Sequence, residues 1–160
     1  MKKRVITLIC ISAFSLAAQA QTQKEDIAIA QSIFGKTKKT IINEYVRISD
    51  EKKSAFWGLY DQYEEKSNAI SRDRLGIIKQ YADSYQTLDD EVANKLAEEL
   101  LDNSERYNKL YKEYLKKFKK EIGGLKAATL IQIELYIQTA IQANLQSQIP
   151  VIGELDKLQN

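Results

Sequence analysis

Few residues of this 160-residue sequence are suited to chemistry. It has no histidine and one cysteine. A Ser-His-Asp triad, an imidazole base and a histidine metal ligand are therefore excluded. Di-iron helix bundles use Glu-x-x-His pairs, so that chemistry is excluded too. Cys10 lies in an N-terminal apolar run, and thiolate and cysteine-zinc chemistry leave with that run. No glycine-rich phosphate loop is present. Carboxylates cluster at Glu64-Glu65, Asp89-Asp90-Glu91 and Glu98-Glu99. Adjacent residues on a helix point apart, so these read as solvated faces rather than acid/base pairs. No catalytic residue, metal ligand or cofactor is expected, and the chain reads as non-enzymatic.

Two polar constellations remain. Glu134 interrupts an apolar stripe, so it should be at least partly buried and in need of donors. Tyr60, Tyr63 and Tyr114 are the nearest tyrosines in the expected register, with Lys117 as a counter-charge. Arg74, Asn103 and Asn144 also interrupt the stripes of three different segments, and the register places them at one level. They are expected to form a polar layer that fixes helix register or receives a ligand or partner. The basic run Lys112, Lys116, Lys117, Lys119, Lys120 fits a helix C-terminus, where the macrodipole favours cations. Most of the nine tyrosines fall on apolar stripes, as filling for a partly wet seam.

Long helices must position these residues. Pro150 is the only proline and glycine is scarce, so little interrupts a helix. Residues 24–47 carry a shorter helical pattern through Ile27, Ala30, Phe34, Ile41, Tyr45 and Ile48, with Gly35 as a break. Ser49-Asp50 caps a helix over 50–86, with Phe56, Tyr60, Tyr63, Ser67, Ile70, Arg74, Ile77, Tyr81 and Tyr85 at steps of three and four. Thr87-Leu88-Asp89-Asp90 resembles a capping box and opens a helix over 89–122. Gly123-Gly124 stops it, and a last helix covers 126–147 with Leu130, Glu134, Ile137, Ile141 and Asn144 on its stripe. The fold class is all-α: an antiparallel bundle of three long helices plus a shorter N-terminal helical region. Across the first hairpin, partners' numbers sum to about 176; across the second, to about 247.

The N-terminus points to export. Lys2, Lys3 and Arg4 precede an apolar run, Val5–Leu16, too short to span a bilayer as a helix. Ala18-Gln19-Ala20 supplies a small-x-small cleavage pattern. Residues 1–20 are expected to be a signal peptide cleaved after Ala20, leaving a single helical domain over 21–160 in the periplasm. Its removal lowers Lys+Arg from 24 to 21, against 22 Asp+Glu. Near neutrality argues against charge-driven binding to nucleic acid or membrane.

The stretch Phe56-Trp57-Gly58-Leu59-Tyr60-Asp61-Gln62-Tyr63 resembles an uncharacterised family of secreted bacterial helical proteins with a Phe-Trp-x-x-Tyr-x-x-Tyr motif. Tyr81, Tyr85 and Leu88, then Gln132 and Glu134, then Ile149 and Pro150 match its later motifs. Gly58 stands where that family usually has proline. Leu130-Ile131 occupies the region where it has an arginine. More distantly, Ile48-Ser49-Asp50-Glu51-Lys52 is similar to the first Leu-Thr-x-x-Gln motif of periplasmic stress proteins, with Lys52 in place of glutamine. That likeness implies an ATP-independent chaperone or sensor accessory acting as a curved homodimer.

The expectation is a non-enzymatic exported helical binding protein of the cell envelope, chaperone-like or stress-related. Its partner is a protein or an unfolded client, with no nucleic acid, no cofactor and no transmembrane segment in the mature chain. The alternative is a structural or accessory module with one specific envelope partner.

Overall fold

A computed structural model describes residues 36–147. The expected signal peptide over 1–20, the expected helical pattern over 24–35 and the Ile149-Pro150 match lie outside the described residues. Four α-helices and one 3-10 turn follow in order: α1 (Lys38–Val46), α2 (Asp50–Ser84), the turn Tyr85–Thr87, α3 (Asp90–Ile122) and α4 (Gly124–Gln146). No strand occurs among the described residues. No described helix is long and apolar enough to cross a membrane.

The caps depart from the expected ones in detail. Ser49 is the N-cap of α2 but its side chain makes no cap bond. Its carbonyl instead takes the Lys52 amide. Asp89, not Thr87, caps α3, its carboxylate accepting from the Val92 amide at 2.8 Å. Thr87 is used up in the 3-10 turn, where its hydroxyl donates to the Ser84 carbonyl. Asp90 and Glu91 occupy the positive end of α3, and Lys119 and Lys120 its negative end, as the macrodipole favours. Gly123, at φ 88, turns the chain by itself, because a left-handed residue there needs no side chain. Its amide closes α3 onto the Lys119 carbonyl and its carbonyl opens α4 by accepting from Ala127. That sharing starts α4 at Gly124, two residues earlier than expected.

α2 packs along α3, α3 along α4, and α1 lies on α4. Aromatic residues fill the α2–α3 seam at the end nearest α4's start. The Phe56 and Phe118 rings lie 5.9 Å apart and the Tyr63 and Tyr114 rings 5.4 Å. Each such pair contributes roughly 0.5–1.5 kcal/mol beyond its buried area. α4, at 23 residues, is shorter than α2 at 35, so the far end of the α2–α3 hairpin has only two helices. Ile77 and Leu96 are the apolar residues buried there among the described residues.

α1 departs from the expected stripe. Ile41, Ile42 and Val46 are buried, whereas Tyr45 is 58% exposed. A helix of nine residues docks through one narrow strip, and the pair Ile41-Ile42 takes it. Arg47 then leaves the helix in a left-handed conformation, φ 50, which costs roughly 1–3 kcal/mol for a residue with a side chain. Lys126 holds that corner by donating to the Arg47 carbonyl at 2.7 Å.

Candidate functional site

The most developed polar cluster is built around Glu134 on α4. Its carboxylate is 3% exposed. Tyr60 donates to Oε1 at 2.6 Å and Tyr63 to Oε2 at 3.2 Å. Both phenols come from α2, spaced three residues apart so that they share a face. They reach across to α4, whose backbone packs against α3 and α1 rather than α2. The structure thus brings Glu134, Tyr60 and Tyr63 together.

Tyr114 does not join them. Its hydroxyl is buried and has no hydrogen-bond partner of good geometry among the described residues. Its ring is instead clasped by Lys66 and Lys117, whose ammonium groups lie 5.3 and 4.4 Å from the centroid. Lys117 is not the counter-charge to Glu134 either. It donates to Glu113 at 2.7 Å, because the i, i+4 partner on its own helix is nearer than α4. Lys66 reaches the same carboxylate at 3.1 Å. These two hydrogen bonds hold the Glu113 carboxyl below its usual range.

The counter-charge is Lys38, on α1. Its ammonium lies 2.9 Å from Glu134 Oε2 and 3.5 Å from Glu64 Oε1. It also sits 5.7 Å from the Tyr60 ring centroid. Sequence reasoning missed Lys38, since a lysine beside Lys36 and Lys39 looks solvated. The available signal was its position three residues before Ile41 and four before Ile42, which puts it on α1's buried strip. Glu64, read as solvated, is partly buried because Lys38 of α1 lies against it. Burial first, and the Glu134 charge second, push the Tyr60 and Tyr63 phenols well above their ordinary value. Both therefore stay protonated and act as donors.

The second constellation is only partly assembled. Arg74 and Asn103 are buried, at 7% and 1% exposure, on facing stretches of α2 and α3. Asn103 donates to the Ile70 carbonyl at 2.9 Å and Arg74 to the Ser104 hydroxyl at 3.3 Å. The Asn103 Oδ1 has no hydrogen-bond partner among the described residues. Asn144 is exposed, so no three-membered layer forms. Ile137 and Leu130 lie one and two heptads before it and are buried. A straight helix drifts ~20° per heptad from a seven-residue repeat, which turns Asn144 outward at the free end of α4. Asp73 pairs with Arg106 at 2.7 Å; Arg74 has no carboxylate in salt-bridge range among the described residues. Burial lowers the Arg74 pKa, yet a guanidinium stays charged at any ordinary pH. One turn away, Tyr107 meets the Ser71 hydroxyl and donates to the Ser67 carbonyl at 3.2 Å.

An open apolar groove of about 270 Å³ runs between α1 and α4, lined by Ile41, Tyr45, Thr129, Gln132, Ile133 and Tyr136. Tyr45 and Tyr136 border it at 58% and 55% exposure. The groove lies beside the Lys38–Glu134 contact, on the same two helices. No family model, no curated protein and no solved structure matches the chain.

Proposed function

We propose that the chain is an exported, non-enzymatic protein of the bacterial cell envelope that binds polypeptides, in a chaperone-like or stress-related role. Residues 1–20 support export, through their basic start, short apolar run and Ala18-Gln19-Ala20 site. The observation that carries the binding reading is the α1–α4 groove. Apolar walls flanked by half-exposed tyrosines suit a segment with one apolar and one wet side. The buried polar cluster beneath it fixes the walls rather than meeting a substrate. Glu134 has its two phenols and its ammonium, all within hydrogen-bond or ion-pair reach.

The small size of the groove favours a second reading, an accessory module with one envelope partner. A broad client surface would expose several hundred Å² of contiguous apolar area. Aggregation assays on the mature chain, residues 21–160, distinguish the two. Suppression of an unfolded client's aggregation at stoichiometric ratio supports the chaperone form. No suppression, with one periplasmic protein recovered after crosslinking, supports the accessory form. Neither activity would remove the binding reading.

A further inference from the structure

We propose that α1 occupies a seat built for a cationic amphipathic helix, and that a basic helical segment of a partner polypeptide takes that seat when α1 lifts from it. This deepens the binding reading above by naming the segment the site accepts.

The occupant now in place shows what the seat takes. α1 offers one buried cation, Lys38, followed by the buried Ile41, Ile42 and Val46, and a second, exposed cation, Lys39, beside Asp61 and the Trp57 ring. The buried cation meets Glu134 and Glu64, and the Tyr60 ring lies beside it. The matching pattern is a lysine with aliphatic residues three, four and eight positions later. The acceptor does not depend on α1 for its position. Tyr60 and Tyr63 hold both oxygens of Glu134 from α2, so the carboxylate stays aimed at the seat when α1 leaves. An acidic segment would meet Glu134 and Glu64 as like charges, which selects for a basic one.

α1 is also short for a helix docked on a core, and it has little helical stability of its own once its buried contacts are given up. Its nine residues fall below the roughly 12–15 at which an isolated helix is even marginal. Lys38 and Lys39 sit in its first turn, which carries no acidic residue, at the end where cations are disfavoured. Arg47, at φ 50, is the hinge. Left-handed backbone there is relieved when α1 lifts away. The unfilled groove beside Ile41 and Tyr45 means that α1 leaves part of its seat open. A longer or bulkier helix would make contacts that α1 does not.

The test uses the full mature chain and a labelled synthetic peptide of residues 36–48 added in trans. Hydrogen exchange should show the α1 amides opening well before those of α2 and α3 at the same pH and temperature. Lys38→Met in the chain weakens the cis competitor and should tighten peptide binding about tenfold, by raising the fraction of chains with an empty seat. Ile41→Ala in the chain gives the same comparison if Lys38→Met lowers the melting temperature too far. A peptide with Lys38→Met should lose that gain, and so should a chain that also carries Glu134→Gln. Exchange of α1 only through global unfolding would overturn the proposal, as would equal peptide affinity for wild-type and loosened chains. Periplasmic crosslinks persisting beside such a failure would remove the seat and leave the binding reading standing.

Discussion

Lys38 on α1 and Glu134 on α4 form an ion pair, at 2.9 Å, with side-chain exposures of 10% and 3%. Ninety-six positions do not separate them by accident of the surface: each lies on the buried strip of its own helix. Breaking a buried pair by removing one partner leaves the other charge stranded, whereas replacing both with apolar groups is often neutral. Glu134→Leu should therefore destabilise the chain by about 3 kcal/mol, toward the lower end of the usual range because Glu64 remains near Lys38. The double variant Lys38→Met/Glu134→Leu should recover only the part due to the stranded Lys38 charge, because the Tyr60 and Tyr63 hydroxyls still lack the acceptor they have in the wild type. Urea unfolding of the two variants and the wild type checks both statements.

Two tyrosines in the same core should respond oppositely to loss of the hydroxyl. Tyr60 donates to a charged acceptor at 2.6 Å. Tyr60→Phe should cost about 1.5–3 kcal/mol, the range for hydrogen bonds to charged groups. The Tyr114 hydroxyl has no hydrogen-bond partner among the described residues, so Tyr114→Phe should leave stability within about 0.5 kcal/mol or raise it. Both rings keep their aromatic neighbours in the variants. Thermal melts compare them directly.

Alkaline pH should expose the buried phenols. Tyr60 and Tyr63 have folded-state pKa values raised well above the ordinary 10.0, burial being the largest cause and Glu134 the next. A raised pKa means that the fold holds the proton more tightly than the unfolded chain does. The stability this contributes is fully present below about pH 10 and is lost as pH rises beyond it. Phenolate absorbance should show these two tyrosines ionising only as the fold is lost. Unfolding by urea at about pH 11 should begin at a lower concentration than at about pH 9.

Arg74 is a buried cation whose one hydrogen-bond partner among the described residues is the Ser104 hydroxyl. Arg74→Leu should preserve or raise the melting temperature, since burying a charge without a counter-charge is costly. Asn103→Ala should lower stability by about 1–3 kcal/mol, because it strips a buried hydrogen bond and opens a small cavity. Calorimetry of the two variants tests the contrast. A large loss on Arg74→Leu would mean that Arg74 fixes the α2–α3 register.

The bundle was largely legible because its information is periodic. Steps of three and four from Phe56 to Ile77 and from Leu96 to Ile122 put the buried face of α2 and α3 where it lies. Turn residues at Gly123 and Asp89 set the hairpins and hence the register, which is why Glu134 could be placed beside Tyr60 and Tyr63. Two kinds of information were not periodic. Lys38 required knowing that α1 returns over α4, and a nine-residue helix carries too little pattern to fix its docking. Asn144 required knowing how far a straight stripe drifts by its last turn. Tyr114 lies on the expected stripe, but its ring is held between Lys66 and Lys117 and its hydroxyl makes no hydrogen bond to Glu134; periodicity places a residue on a face without aiming its terminal atom.

The central claim is that the chain binds a polypeptide at its α1–α4 face in the cell envelope. A photo-crosslinking residue at Tyr136, compared with one at Lys112 on the basic outer face of α3, tests it in living cells. Adducts with envelope polypeptides from position 136, few from position 112, and a chain shortened by its first twenty residues are the predicted result. Equal adducts from both positions, none from position 136, or a full-length chain retained in the cytoplasm would contradict it.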